Sequence, residues 1–270
     1  MWVPAFMLIT WRRQKLADEN LAKCFGDRFT AKERKTIRRG VTGNICKLFP
    51  ELFKVPTLSA EELRETVLVE NVDILHRALE RGKGAIFLTA HCGNWEVLGA
   101  RGRLEGLDMA VVARDASDAG ATSIINRARG GGGVRILGVD DVVGMIRHLR
   151  KNGILAILPD QHAASGAVLC EFLGRPAWCT KGPATLALRT GCAIVPCFVV
   201  REKGDLLRCR FTDEILPPDE PDRDKAVAIY TQAIMDVIAE AITEHPEQWL
   251  WTHNRWKDRQ DPEPEDQEPE

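Results

Sequence analysis

Residues 85–96 read AIFLTAHCGNWE. The first six are apolar apart from Thr89, and a histidine, a glycine, an asparagine and a glutamate follow within the next six. A short apolar run without polar alternation marks a strand covered on both faces, the kind found in parallel sheets flanked by helices. In such sheets ligands gather in the loops leaving the carboxyl ends of the strands, and His91 to Glu96 occupy that position. On a helix five residues advance about 500°, leaving His91 and Glu96 about 140° apart. The two side chains therefore meet only if His91 stands ahead of the helix, in the loop. Spacing alone leaves two readings open. One is a joint in which Asn94 caps a helix opening at Trp95. The other is a general base, His91, whose tautomer is held by the Glu96 carboxylate. Gly93 allows a tight or positive-φ turn and close approach of a substrate in either case.

The same pattern continues outward. Apolar runs MAVVA (109–113), VRILG (134–138), ILAIL (154–158), AIVPCFVV (193–200) and LLRCRFT (206–212) alternate with helix-length segments at 95–104, 119–129, 139–151 and 182–190. A longer one spans 222–244. This predicts an α/β fold, a largely parallel central sheet flanked by helices. Upstream, Ile37, Val41, Ile45, Leu48 and Leu52 recur at helical intervals over 31–53. Val72, Leu75 and Leu79 do so in a second predicted helix, 60–80, which Gly82 ends. An N-terminal amphipathic helical region thus precedes the sheet.

Charge is unevenly spread. Residues 258–270 (DRQDPEPEDQEPE) carry seven acids against one base, and their prolines predict a disordered acidic tail. Residues 12–39 carry ten Lys or Arg against four acids. Such a segment is either a solvated helix face or one drawn to an anionic surface. Aromatics do not interleave with these bases, which argues against nucleic acid. The first eleven residues, MWVPAFMLITW, are apolar but fewer than the roughly 20 that span a bilayer. With Arg12 and Arg13 behind them they suit an interfacial foot.

The eight cysteines form no CxxC pair, so no metal site is predicted and free thiols in a reducing compartment are the simplest account. GGGG at 130–133 lacks the Lys-Ser or Lys-Thr of a P-loop and reads as a flexible link. Cys92 adjoins His91, but neighbouring residues at a strand end point apart, which disfavours it as a nucleophile. Asp160 and Gln161 leave the carboxyl edge of the strand ILAIL, where they either hydrogen-bond an acceptor or shape a turn. Phe172, Gly174 and Lys181 fall in the following loop, and Lys181 opens the next helix, a suitable anion site. Trp249, Trp251 and Trp256 suit a packed core or a membrane-interface belt equally.

HCGNWE resembles the HxxxxE block of the lysophospholipid acyltransferase superfamily, in the form of the branch containing the lipid A late acyltransferases. VVARDASD (111–118), ILPDQHAASGAVLCEFLGRPAWCTKGPATLALRTGCAIVPCFV (157–199) and HPEQWLWTHNRWK (245–257) resemble that branch in order and spacing. So does RRQKLADENLAKCFGDRFTAKERKTIRRG (12–40). The likeness covers nearly the whole chain except the tail. It implies that His91 deprotonates an acceptor hydroxyl that attacks an acyl thioester, with Glu96 holding the imidazole. Beside it, Gly93, Asn94, Arg114, Asp160, Gln161 and Lys181 are the expected substrate-binding residues; Arg114, at the end of its strand, fits as the cation binding phosphate or charge at the reacting carbonyl, or is an exposed strand-end arginine. No cofactor is implied, and acyl carrier protein or a CoA thioester is the co-substrate.

The expected organisation is an interfacial and helical region (1–82), an acyltransferase α/β domain (83–257) and the tail (258–270). Members of the branch usually begin with a fuller hydrophobic segment, so the eleven apolar residues here favour either peripheral attachment to an anionic membrane, at the cytoplasmic face of the inner membrane, or a start that lies further upstream with a longer membrane segment. The expected acceptor is a lipid A precursor. Lysophosphatidate, a mannosyl lipid or an amino-acid lipid are alternative acceptors, and a non-catalytic lipid-binding protein is the alternative of another class. No Gly-x-Ser-x-Gly elbow supports a hydrolase.

Overall fold

The computed structural model describes residues 11–113, 134–163 and 165–257. The amphipathic N-terminal pattern forms α1 (Trp11–Phe25) and α2 (Ala31–Lys54). Thr30 opens α2 with a reciprocal cap: its hydroxyl accepts from Glu33 N while the Glu33 carboxylate accepts from Thr30 N at 2.7 Å. Ile37, Val41, Leu48 and Leu52 are buried, as their spacing predicts. Ser59 and Glu62 repeat the same cap at α3 (Ala60–Thr66).

Here the structure departs from the sequence reading. The helix predicted over 60–80 is instead α3, a strand β1 (Val67–Glu70) and α4 (Asp73–Glu80). The run VLVE is rich in β-branched side chains and finds a sheet edge to pair with, which outweighs its helical spacing. Asn71, at φ 59°, then turns the chain into α4. The segment before residue 82 thus supplies a strand to the central sheet as well as helices.

The following elements are β2 (Ala85–Leu88), α5 (Val97–Leu104), β3 (Met109–Ala113), β4 (Arg135–Gly138), α6 (Val142–Arg150) and β5 (Ile154–Ile157). A hairpin of β6 (Ala167–Phe172) and β7 (Arg175–Thr180) comes next, then α7 (Gly182–Thr190), β8 (Ala193–Arg201), β9 (Leu207–Phe211) and α8 (Arg223–Glu244). Seven strands form one sheet in the order β1-β9-β8-β2-β5-β3-β4. Every neighbouring pair is parallel except β8 with β9. Every residue of β2 and β5 is buried, as an unalternating apolar run requires. Their side chains serve two cores by turns: Ile86 and Leu88 face one layer, Ala85 and Phe87 the other.

The β6–β7 hairpin replaces the predicted loop containing Phe172 and Gly174. Leu173 and Gly174 both take positive φ (52° and 73°), the geometry that lets two residues reverse a hairpin, and leucine is a poor advertisement for it. Gln232 of α8 bonds the backbone of Glu171 at both N and O. α8 is long and apolar enough to cross a membrane by length and composition, but its Ile234, Met235, Ile238 and Ile242 are core residues here. Trp249 and Trp251 are also fully buried, their rings meeting edge-on at 4.7 Å, which decides for the packed-core reading of the C-terminal tryptophans. The predicted helix 119–129, the GGGG link, Arg114, the first ten residues and the tail lie outside the described residues.

Candidate active site

The site follows from sheet register. β2 and β5 are parallel neighbours with Leu88 opposite Ile157, and Thr89 N still donates to Ile157 O at 3.1 Å. Three residues beyond each strand stand His91 and Asp160. Asp160 Oδ1 accepts from His91 Nδ1 at 2.8 Å, and Oδ2 accepts from His91 N at 3.0 Å and from the Trp249 indole Nε1 at 2.8 Å. Asp160 is 0% exposed. Burial pushes its carboxyl up, but the charge of His91 and the hydrogen bonds from His91 and Trp249 outweigh it and bring it down to about 2. An ionised Asp160 only accepts, so the proton of neutral His91 sits on Nδ1 and Nε2 keeps a lone pair for a substrate.

Asp160 was expected to hydrogen-bond the acceptor. Both of its oxygens are engaged behind the imidazole, so its contacts orient the His91 ring. Glu96 immediately precedes α5, which opens two residues later than predicted. Its Oε1 accepts from the Trp95 indole at 3.1 Å, while the Trp95 ring packs edge-on against His91 at 4.9 Å. Glu96 and His91 both line one cleft. The bond to the imidazole Nδ1 comes from Asp160.

Gly93 and Asn94 stand behind the loop rather than in the cleft. Gly93 has φ 59°, and a Cβ there would lie 2.1 Å from Val199 O, so its freedom serves close packing onto β8. Asn94 is 0% exposed; its Oδ1 accepts from Glu96 N at 3.1 Å and its Nδ2 donates to Glu51 Oε2 at 2.6 Å. Glu51, from α2, also takes both terminal nitrogens of Arg201 at 2.8 and 2.6 Å. Nothing in the spacing of the sequence marks Glu51 or Arg201 as partners of the loop. Cys92 is 2% exposed and burial drives its thiol far above the ordinary range, so it is no thiolate nucleophile.

The cleft has a volume of about 890 Å³. Leu98, Met109, Val111, Met145, Ala156 and Leu186 give it apolar wall, while Gln161, Lys181, His253 and Lys257 add polar groups. Gln161 and Lys181 thus share the cleft with His91, Lys181 at the start of α7. The C-terminal segment closes the site from behind: Gly93 N donates to Gln248 O at 3.1 Å and Leu250 N to His91 O at 3.1 Å. The block HPEQWLWTHNRWK was visible in the sequence as an aromatic cluster, but its contact with His91 was not. Among the described residues no group of three His, Cys, Asp or Glu is placed to hold a metal ion.

An oriented base in an apolar cleft large enough for a hydrocarbon chain is suited to proton removal from a hydroxyl. Residues 4–258 match the family model described as bacterial lipid A biosynthesis acyltransferase. Phosphatidylinositol mannoside acyltransferase of Mycobacterium tuberculosis is 26% identical over 221 residues, covering 76% of this chain and 66% of its own length. Lipid A biosynthesis palmitoleoyltransferase of Escherichia coli is 26% identical over 254 residues, covering 92% and 80%. Lipid A biosynthesis lauroyltransferase of Escherichia coli is 34% identical over 123 residues, covering 44% and 39%. The aligned stretch thus spans just under two thirds of the mycobacterial relative.

Proposed function

The chain belongs to the bacterial lipid A biosynthesis acyltransferase family, and from that premise we propose that it moves a fatty acyl group from a thioester of acyl carrier protein or CoA to a hydroxyl of a lipid A precursor or related glycolipid. The observation that carries this reading is the 2.8 Å bond from His91 to buried Asp160 beside the apolar cleft. His91 Nε2 takes the proton of the acceptor hydroxyl as its oxygen adds to the thioester carbonyl carbon. The carbonyl pair moves to oxygen, then returns as the C–S bond breaks, and the departing thiolate takes the proton from His91. Asp160 holds the tautomer and the imidazolium. Glu96, the other half of the His/Glu dyad, faces the same cleft and adds negative charge that favours the imidazolium. Gln161 and Lys181 bind hydroxyl and anionic groups of the substrates, and Arg114 is assigned the phosphate or carbonyl charge.

A mannosyl-lipid acceptor is the second reading, because the mycobacterial relative matches at the same 26% identity as the palmitoleoyltransferase. We place the enzyme on the cytoplasmic face of the inner membrane, attached peripherally. Trp11 is 60% exposed, and Arg12, Arg13, Lys15 and Lys23 are exposed beside it on α1. Binding to phosphatidylglycerol vesicles should weaken as salt rises, while phosphatidylcholine vesicles should bind little.

The deciding assay incubates the full chain with acyl-CoA and acyl carrier protein thioesters and with a lipid A precursor, a phosphatidylinositol mannoside and lysophosphatidate, and identifies products by mass. The lipid A precursor should be acylated, and His91→Ala should lower transfer by roughly 10²-fold or more with folding intact. Retained transfer in that variant would remove the mechanism. No transfer by the unmodified chain would leave a lipid-binding protein.

A further inference from the structure

The imidazoles of His162 and His253 line the cleft together with that of His91. The backbone N–H of His162 donates to His253 Nε2 at 3.2 Å. A backbone amide only donates, so Nε2 carries a lone pair, the ring is neutral and its proton sits on Nδ1. Burial, assisted by His91, Arg255 and His162 and opposed by Asp160, holds the His253 pKa down to about 4, so the ring stays neutral at physiological pH. Among the described residues none accepts the Nδ1 proton.

Two tethers fix His253 relative to the base. Asp160 binds His91, and two residues on His162 binds His253. From the other side Leu250 N bonds His91 O, and His253 N bonds Leu250 O at 3.2 Å. One cleft therefore holds an imidazole ready to accept a proton and another able only to donate at its free nitrogen. That is the division of labour acyl transfer needs: a base for the attacking hydroxyl and a fixed neutral donor for the oxygen that gains charge.

We propose that His253 is a further catalytic residue whose Nδ1–H hydrogen-bonds the thioester carbonyl oxygen and stabilises it as an oxyanion; this rests on the acyl-transfer reading. As the acceptor O–H proton passes to His91 and the C–O bond forms, the carbonyl pair collects on the oxygen held by His253. It returns as the C–S bond breaks, and the thiolate leaves with the proton from His91. His253 keeps its own proton throughout.

The test compares the full chain with His253→Ala, His253→Gln and His91→Ala, using lauroyl-CoA and palmitoyl-CoA with the same acceptors. His253→Ala should lower kcat roughly 10²- to 10³-fold, the loss seen when one oxyanion donor is removed. KM for both substrates should stay within about threefold, and the acid limb of the kcat profile should not move. Glutamine, which can accept from His162 N and still donate, should recover roughly tenfold or more of the loss. If the alanine variant does not fold, His253→Phe, a ring without the donor, takes its place against glutamine. A kcat near that of the unmodified chain, a loss confined to KM, or a displaced acid limb overturns the inference. Transfer that needs His91 but not His253 overturns it alone, whereas no transfer by the unmodified chain overturns the acyl-transfer reading and the inference with it.

Discussion

Asp160 is a buried carboxylate that stays ionised because three donors converge on it, supplied by two different conditions of folding. His91 N and Nδ1 are supplied by the β2–β5 register, and Trp249 Nε1 by the docking of the C-terminal segment. Its folded pKa, about 2, lies below the roughly 3.9 of an unfolded aspartate. It therefore contributes stability that is fully present above about pH 4 and is lost as pH falls through about 2, on the order of 2 kcal/mol. The stability gap between the unmodified chain and Asp160→Asn, read from urea midpoints, should be wide at pH 6 and narrower at pH 3. At neutral pH the same variant should lose transfer by roughly 10²-fold or more, because a neutral amide no longer stabilises the imidazolium. Cys92 supplies a second residue-scale check. Its burial predicts that iodoacetamide leaves it unmodified in the native protein at pH 8 and alkylates it after unfolding.

At the scale of elements, the loop between β2 and α5 is aimed by parts of the chain far from it in sequence. Arg201 at the end of β8 pairs with Glu51 of α2, donates Nε to Asn44 Oδ1 at 3.0 Å, and exchanges hydrogen bonds with Gln248 through its backbone. Its side chain is only 7% exposed. Glu51→Ala would remove the bidentate Glu51 carboxylate from this buried guanidinium and free the Asn94 amide. A loss approaching 3 kcal/mol, toward the low end for broken buried pairs since Glu51 is 23% exposed, should appear in the denaturant midpoint. A double-mutant cycle with Arg201→Ala should return a coupling energy well above the ~0.5 kcal/mol of independent sites. The backbone takes part as well: Gly93→Ala would force a Cβ onto Val199 O and hold alanine at positive φ.

At the scale of the whole molecule, α1 packs against the segment that follows α8. α1 packs Ala17 and Leu21 into the core, and Asn20 Nδ2 donates to Trp251 O at 3.1 Å and His253 O at 3.2 Å. Phe25 meets the Trp251 ring at 5.6 Å. The N-terminal helix thus holds the segment that carries Trp249 and His253. Removing residues 1–25 should shift tryptophan emission to the red as Trp251 gains water, and should lower kcat although none of the described residues among them lines the cleft. Unchanged emission and rate would show that the C-terminal segment holds its place without α1. Arg255, fully buried, ties the far end of the same segment to the hairpin through Trp178 O at 2.8 Å and the Cys179 thiol at 2.8 Å.

The sequence by itself determined the layers of this protein. Unalternating runs such as AIFL and ILAI can be satisfied only by burial on both faces, and the periodic apolar spacing of Ile37, Val41, Leu48 and Leu52 set α2. It also placed His91 and Asp160 at carboxyl ends of strands, because chain order and strand length decide that much. It could not say that the two strands are neighbours in register, which is what turns Asp160 from a candidate acceptor ligand into the partner of the imidazole. VLVE became a strand rather than part of a helix because a sheet edge lay within reach, and Gly93 was needed because Val199 O comes close behind it. Glu51, Arg201 and His253 carry no local signal, since a charge or an imidazole is defined by what folding brings to it. Local periodicity is encoded along the chain; hydrogen-bond partners as far apart as Asn20 and His253, separated by 233 residues, are decided only by how the layers pack.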